Sequence, residues 1–163
     1  FVAYLAVELV RRHLGFLALV LPLVALVAIP GSLAITRDLT SEAQFAGLDD
    51  IEVADWARAN TAPDAVFVAA DRPNVPVATL AGRSLVLGYR GWLYNFNIAY
   101  GEREAAVQAA FAGRFDDPAL RTFDADYLLV SAYEDAYWGV DETALAAHPV
   151  LWSNGTWRVY DLP

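Results

Sequence analysis

The sequence predicts an α/β protein in which a transmembrane helix precedes a small, mostly parallel, three-layer α/β domain with a C-terminal β-hairpin. The first observation behind this prediction is an uncharged run of 22 residues, Leu14 to Ile35, because about 20 apolar residues cross a bilayer as a helix. The second is that short apolar runs alternate with helical patterns from residue 49 onward, as in parallel α/β sheets. The third is Asn154-Gly155, a preferred two-residue hairpin turn, between two aromatic-rich runs.

Residues 1–36 are predicted to form a transmembrane region of three parts. Residues 1–10 are the end of one helix, residues 11–13 (Arg-Arg-His) are a basic loop, and residues 14–35 are a second helix. Basic loops stay on the cytoplasmic side, so we expect an integral membrane protein whose C-terminal domain lies outside the cytoplasm. Arg37, on the far side of the helix, opposes this orientation slightly. Because the chain begins with Phe1 rather than Met, we also expect further residues upstream.

Two other interpretations of the apolar run remain open. A signal peptide would have a basic start and a small-residue cleavage site such as residues 32–34, Ser-Leu-Ala. However, the apolar run is too long for a signal peptide, and another apolar stretch precedes the basic residues. The other alternative is a buried helix of a soluble protein. Pro22 and Pro30 are compatible with a membrane helix, because kinked helices are common in lipid.

The composition of the remaining chain limits its ligands. We predict a linker at residues 37–48 and the α/β domain at residues 49–163. All acidic residues except Glu8 follow residue 36, so 19 carboxylates stand there against 9 Arg and no Lys. Such an acidic surface repels phosphate backbones, so nucleic acid is not an expected partner. The absence of Cys and the presence of only two His exclude thiolate and His-rich metal sites.

Helices and strands alternate along the predicted domain. The first helix starts with Asp49 and Glu52, which have the spacing of a capping box, and a later helix starts with Asp117-Pro118, a cap followed by proline. The remaining predictions rest on apolar periodicity and on the positions of Gly and Pro. Predicted helices cover residues 49–60, 75–81, 102–112 and 141–147 and one starts at residue 117; predicted strands cover 65–70, 84–88, 127–131, 150–153 and 156–161.

Polar and aromatic residues follow each of the first three strands. Arg72 follows the first strand, Tyr89, Arg90 and Trp92 follow the second, and Glu134 follows the third. In a parallel sheet these positions lie at one edge, where α/β proteins bind ligands. Arginine pairs with phosphate oxygens, and aromatic faces stack on sugar rings. These five residues are therefore predicted to bind a sugar or a phosphate. The alternative is an ordinary polar rim with an aromatic loop packed on the domain or at a membrane surface.

No catalytic residue and no metal site are predicted. Asp124 and Asp126 have the Asp-x-Asp spacing that some sugar-nucleotide transferases use for a divalent metal. They precede the third strand, however, so they belong to the end of the sheet opposite to the expected ligand edge.

Several strings resemble a known family. These are residues 54–61 (Ala-Asp-Trp-Ala-Arg-Ala-Asn-Thr), residues 63–68, residues 80–83, residues 86–92 (Val-Leu-Gly-Tyr-Arg-Gly-Trp), residues 126–130 with Glu134, and residues 157–160. Over about residues 50 to 161 they resemble the extracytoplasmic C-terminal domain of GT-C-type polytopic membrane glycosyltransferases and their uncharacterised relatives. Where relatives have a stretch rich in Trp and Gly, this chain has residues 93–97, Leu-Tyr-Asn-Phe-Asn.

The resemblance implies transfer of a sugar from a polyprenyl-phosphate donor at the outer membrane face, with membrane lipid and a lipid-linked sugar as partners. In that family the catalytic carboxylate lies in the first outer loop, which these 163 residues do not contain. No catalytic residue is therefore carried over, no cofactor is expected in this chain, and a divalent metal would belong to the missing part. The alternative is a non-enzymatic, membrane-anchored binding or scaffold domain.

Overall fold

The computed structural model describes residues 2–41 and 45–163. The chain divides into two compact units, residues 1–43 and residues 44–163. The described residues of the first unit contain one long helix, and those of the second form a mixed α/β domain.

Helix α1 runs without interruption over Val2–Thr40. The predicted loop at residues 11–13 is therefore wrong, and the first residues of the predicted linker 37–48 also belong to the helix. Residues 11–13 include no Gly, Pro, Asn or Asp that would favour a reverse turn. An ion pair between Arg12 and Glu8, with an N–O distance of 3.7 Å at i,i+4 spacing, further favours the helix here.

One segment of α1 has the properties of a membrane span. By length and composition, Pro22–Thr40 is long and apolar enough to cross a membrane, either as an anchor or as a signal sequence. None of this segment is buried by other described residues, in contrast to the core helices of the α/β domain.

The α/β domain consists of short helices and strands in alternation. Its helices are α2 Leu48–Asn60, α3 Pro76–Thr79, α4 Arg90–Asn95, α5 Gly101–Phe111, α6 Pro118–Thr122, α7 Ala132–Trp138 and α8 Glu142–Leu145. Its strands are β1 Val66–Val68, β2 Ser84–Leu85, β3 Tyr127–Val130, β4 Val150–Ser153 and β5 Arg158–Asp161. The α/β class is thus confirmed, and the sequence did not predict α4 or α7.

The five strands form one mixed sheet in the order β2-β1-β3-β5-β4. Strand β1 is parallel to both β2 and β3, whereas β5 is antiparallel to β3 and to β4. The predicted mostly parallel sheet is thus observed as a mixed sheet, in which two of the four strand pairings are parallel and the two that involve β5 are antiparallel. Val159 and Tyr160 of β5 are both buried, and this two-sided burial accounts for the interior position of β5.

Alternation along the strands divides the core into two clusters. Phe67, Leu129 and Val159 belong to one cluster, and their neighbours in sequence, such as Leu128 and Tyr160, belong to the other. Helices α2 and α3 contribute to the first cluster, whereas α5, α6 and α8 contribute to the second. Since successive side chains of a strand point to opposite faces, both faces of the sheet are covered by apolar side chains.

Two local details differ from the sequence predictions. The start of α2 is stabilised by Asp50, whose Oδ2 accepts a hydrogen bond from the Gly47 N–H at 2.9 Å, and not by an Asp49–Glu52 capping box. The connection between β4 and β5 comprises residues 154–157, and only Gly155 has a positive φ, of +90°. The two-residue hairpin turn that Asn-Gly favours needs positive φ at both residues, so this predicted turn type is wrong for Asn154.

Candidate functional site

The predicted site residues follow three strands that are parallel neighbours, β2, β1 and β3. Their carboxyl ends therefore lie at the same edge of the sheet. Arg90 and Trp92 lie in α4 and Glu134 lies in α7, whereas Arg72 and Tyr89 lie in the loops that follow β1 and β2. The five residues do not form a single constellation but belong to four separate groups of contacts.

The first group is an ion-pair network around Arg90. Its Nε donates to Asp71 Oδ2 at 2.6 Å, its Nη2 donates to Asp71 Oδ1 at 3.3 Å, and its Nη1 donates to Glu104 Oε1. Trp138 Nε1 also donates to Asp71 Oδ1, at 3.2 Å, and its ring lies 4.9 Å from Arg90 Cζ. Hydrogen bonding to Asp71 is the main reason that the pKa of Arg90 is raised. Through Asp71, Glu104 and Trp138, Arg90 joins α4 to the loop after β1, to α5 and to α7.

The second predicted residue, Glu134, is fully buried. Its Oε2 accepts hydrogen bonds from the backbone N–H of Ser131, at 2.8 Å, and from the Ser131 hydroxyl. Its Oε1 accepts from the Ala70 N–H at 3.4 Å. Ser131 Oγ in turn accepts from the Tyr133 N–H at 3.2 Å. These bonds form a capping box at the start of α7, so Glu134 stabilises this helix end and is enclosed from ligands.

Arg72 lies between two aromatic rings. Its Cζ is 4.6 Å from the Trp157 ring centroid and 5.4 Å from that of Tyr133. Its Nε is buried and has no hydrogen-bond partner among the described residues. Unlike Arg90, Arg72 is thus held by ring contacts rather than by carboxylates.

Tyr89 and Trp92 begin an exposed aromatic stretch. Their rings meet edge to face, with centroids 5.5 Å apart, and 55% of Trp92 is exposed. Further along, Tyr94 and Phe96 are each 76% exposed. A pocket of about 690 Å³ adjoins this stretch, and it is lined by Tyr94, Asn95, Asn97, Ile98, Ala99 and Tyr100.

Asn97 ends this stretch in the left-handed region, with φ +54°. Asparagine tolerates this conformation better than most residues with a side chain. The chain can therefore leave α4 sharply at this point, and both Asn95 and Asn97 line the pocket.

The Asp-x-Asp pair lies at the opposite end of the sheet, as the sequence predicts. Asp126 Oδ2 accepts a hydrogen bond from the Val66 N–H at 2.8 Å, where β1 begins. Among residues 2–41 and 45–163, no group of three or more His, Cys, Asp or Glu has the arrangement of a metal site.

Sequence reasoning missed the partners of the two arginines. Asp71 carried a usable signal, since it directly precedes Arg72 at the end of an apolar run. Glu104, Trp138 and Trp157 carry no local signal, because they come from elements distant in sequence. No protein-family model and no curated protein matches this sequence, so the functional argument rests on the geometry of the described residues.

Proposed function

We propose that this chain contributes a membrane-anchored, extracytoplasmic binding domain to a GT-C-like polytopic membrane glycosyltransferase. The domain helps to bind the lipid-linked sugar or its acceptor, and the catalytic residues belong to a part of the protein outside these 163 residues. One observation carries the proposal: an exposed surface of aromatic and amide side chains around α4. We call this the α4 surface, and it comprises Tyr89, Trp92, Tyr94, Asn95 and Asn97.

The α4 surface has the chemical character of a saccharide site. Aromatic rings offer flat apolar faces, and an amide offers both donors and an acceptor, which match the hydroxyl groups of a sugar. Small-molecule sites typically combine apolar and aromatic walls with a few polar groups. Clustered exposed apolar side chains also mark interaction surfaces more often than scattered ones do.

The contacts of Arg90 and Glu134 support binding rather than catalysis. Arg90 is held by Asp71 and Glu104, and Glu134 is enclosed as a helix cap. Neither is available as an acid, a base or an electrophile toward a ligand.

The anchor and orientation rest on the sequence of α1. Its segment Pro22–Thr40 can cross a membrane, and Arg11 and Arg12 precede that segment, which favours a cytoplasmic amino end and an outer α/β domain. The two core clusters on the two faces of the sheet support the three-layer arrangement, and the pairing of β4 with β5 supports the C-terminal hairpin.

A non-enzymatic scaffold is the second candidate. The structural contacts of Arg90 and Glu134 are compatible with this candidate as well. The exposed aromatic residues also fit it, because aromatic residues are enriched where proteins bind one another. The two candidates differ in whether sugar transfer depends on the α4 surface.

The test is a transfer assay with the full-length protein in membranes. A radiolabelled polyprenyl-phosphate sugar is the donor, and Trp92→Ala is compared with Leu151→Ala, whose side chain is similarly exposed, at 51%. Loss of one aromatic contact of about 0.5–1.5 kcal/mol should raise the KM for the donor or acceptor roughly twofold to tenfold. Leu151→Ala should leave it unchanged.

Equal KM values for both variants and the parent protein would reject a binding role for the α4 surface. If the parent protein transfers no sugar from any of a panel of polyprenyl-phosphate donors, the glycosyltransferase assignment fails and the scaffold candidate replaces it.

A further inference from the structure

We propose that Arg72 is the centre of an oxyanion site that binds a phosphate group. The site is distinct from the α4 surface and does not depend on its binding a sugar. It lies in the loop after β1, where residues from β1, α7 and the β4–β5 connection come together.

Two aromatic rings hold the Arg72 side chain in place. Trp157, which is 1% exposed, presents its ring 4.6 Å from Arg72 Cζ, and Tyr133 presents its ring at 5.4 Å. Trp157 is itself fixed, because its Nε1 donates to Asp50 Oδ1 at 2.9 Å. A guanidinium that stacks on aromatic faces keeps its donors in a planar fork, so its direction is set before a ligand arrives.

Within residues 2–41 and 45–163, the guanidinium held in this way has no hydrogen-bond or ion-pair partner. No carboxylate oxygen of the described residues forms an ion pair with Arg72, although Arg58, Arg90, Arg114 and Arg158 all have one. Its Nε is buried and forms no hydrogen bond with the described residues, whereas the residue as a whole is only half-buried. A half-buried cation without hydrogen bonds is unfavourable, so an external anion that bonds the terminal nitrogens would stabilise this arrangement.

The ligand class follows from the geometry of the fork. Two parallel N–H groups bind the oxygens of phosphate or carboxylate in a bidentate manner. The residues after 36 provide 19 carboxylates, and none of those described pairs with Arg72. We therefore assign a phosphate group, either of a free phosphorylated molecule or of a lipid headgroup.

The test is an NMR titration of the whole chain in detergent micelles with ¹⁵N-labelled arginine. The Nε–H signal of Arg72, assigned with Arg72→Lys, is followed at pH 6 as inorganic phosphate replaces chloride at constant ionic strength. We expect a saturable shift for Arg72 and none for Arg121, an exposed arginine that forms no ion pair with the described residues. A lysine ammonium lacks the planar fork of N–H donors that a guanidinium has. Arg72→Lys should therefore weaken phosphate binding about tenfold, as measured by ³¹P NMR.

A melting temperature equal to that of the parent chain would show that Arg72→Lys is folded. Repeating the measurement in nanodiscs distinguishes the source: a shift with phosphatidylglycerol but not phosphatidylcholine supports a lipid phosphate, and a shift with inorganic phosphate alone supports a free ligand. Small, non-saturating shifts that are equal for Arg72 and Arg121 would overturn the site. Acetate binding as tight as that of phosphate would overturn the ligand class.

Discussion

Arg90 Nε donates a hydrogen bond of 2.6 Å to Asp71 Oδ2, and this bond joins the loop after β1 to the start of α4. The Asp71 side chain is only 12% exposed, and it also accepts from Trp138. Arg90, which the sequence predicts to bind a ligand, therefore holds this edge of the sheet together. The ion pair fixes the position of the loop after β1 relative to α4.

Arg90→Ala should destabilise the domain, because it leaves Asp71 and Glu104 without their cation. We expect a loss of about 1–2 kcal/mol in the free energy of unfolding, which is reduced from the value for a buried pair since the Arg90 side chain is 38% exposed. Thermal unfolding of the chain in detergent, followed by near-UV circular dichroism, measures it. Arg121→Ala is the control, and equal melting temperatures for the two variants would contradict the structural role of Arg90.

The local elements of the fold were largely predictable from the sequence. The helix predicted at residues 49–60 is present and begins one residue earlier, at Leu48. It could be predicted because apolar spacing and chain breakers are local signals. Helix α7 was predictable but missed: Ser131 and Glu134 have the Ser-x-x-Glu spacing of a capping box. The position of β5 between β3 and β4 was not predictable, because pairing partners are chosen by long-range packing.

The candidate site, like the fold, was only partly predictable from the sequence. The convergence of residues after β1, β2 and β3 follows from parallel pairing, and the alternation of elements indicated that pairing. The roles of Arg72 and Arg90 did not follow. The two arginines differ in the distant side chain that each contacts: Arg72 contacts the Trp157 ring, and Arg90 donates to Glu104.

Glu134→Ala should destabilise the domain more than any exposed substitution. It removes the acceptor for the Ser131 and Ala70 N–H groups, and buried unpaired donors cost about 1–3 kcal/mol each. We expect a loss of about 2–3 kcal/mol in a chemical denaturation experiment, and Glu134→Gln should recover part of it by keeping one acceptor.

The matched control is Glu102→Ala, since Glu102 is an exposed carboxylate in the first turn of α5. A similar small loss for Glu134→Ala and Glu102→Ala would show that the capping box contributes little.

Gly155→Ala tests the connection between β4 and β5. Gly155 has φ +90°, a conformation that costs a residue with a side chain about 1–2 kcal/mol. Gly88→Ala is the matched control, because Gly88 has open space at its Cβ position and no such φ. The melting temperature should fall for Gly155→Ala and stay within error for Gly88→Ala; the reverse order would refute the assigned backbone conformation.

The ion pair between Glu142 and Arg158 should make stability depend on pH. Hydrogen bonding to Arg158 is the main reason that the pKa of Glu142 is lowered. A carboxylate whose folded pKa is lowered stabilises the fold above its unfolded pKa of about 4.3, and this contribution is lost as the pH falls through the folded pKa.

Glu142→Gln should therefore reduce stability at pH 7, by less than about 1 kcal/mol because the Glu142 side chain is 49% exposed. The difference from the parent chain should shrink toward zero below about pH 4. Glu102→Gln is the control and should show no such trend. A difference for Glu142→Gln that stays constant from pH 7 to pH 3 would contradict the ion pair.

The orientation of α1 can be tested through its basic residues. Arg11 and Arg12 lie before Pro22–Thr40, the segment that is long and apolar enough to span a membrane, and Arg37 lies near the end of that segment. In a membrane protein, the side with more Lys and Arg stays in the cytoplasm. A periplasm-active phosphatase fused after Pro163 should therefore be active in the parent chain. Reversing the charges in an Arg11→Glu, Arg12→Glu variant leaves Arg37 as the main signal and should lower the phosphatase activity. Arg37→Glu, which removes the opposing charge, should preserve it. An inactive fusion in the parent chain, with equal expression, would place the α/β domain in the cytoplasm and remove the basis for a lipid-linked donor at the outer face.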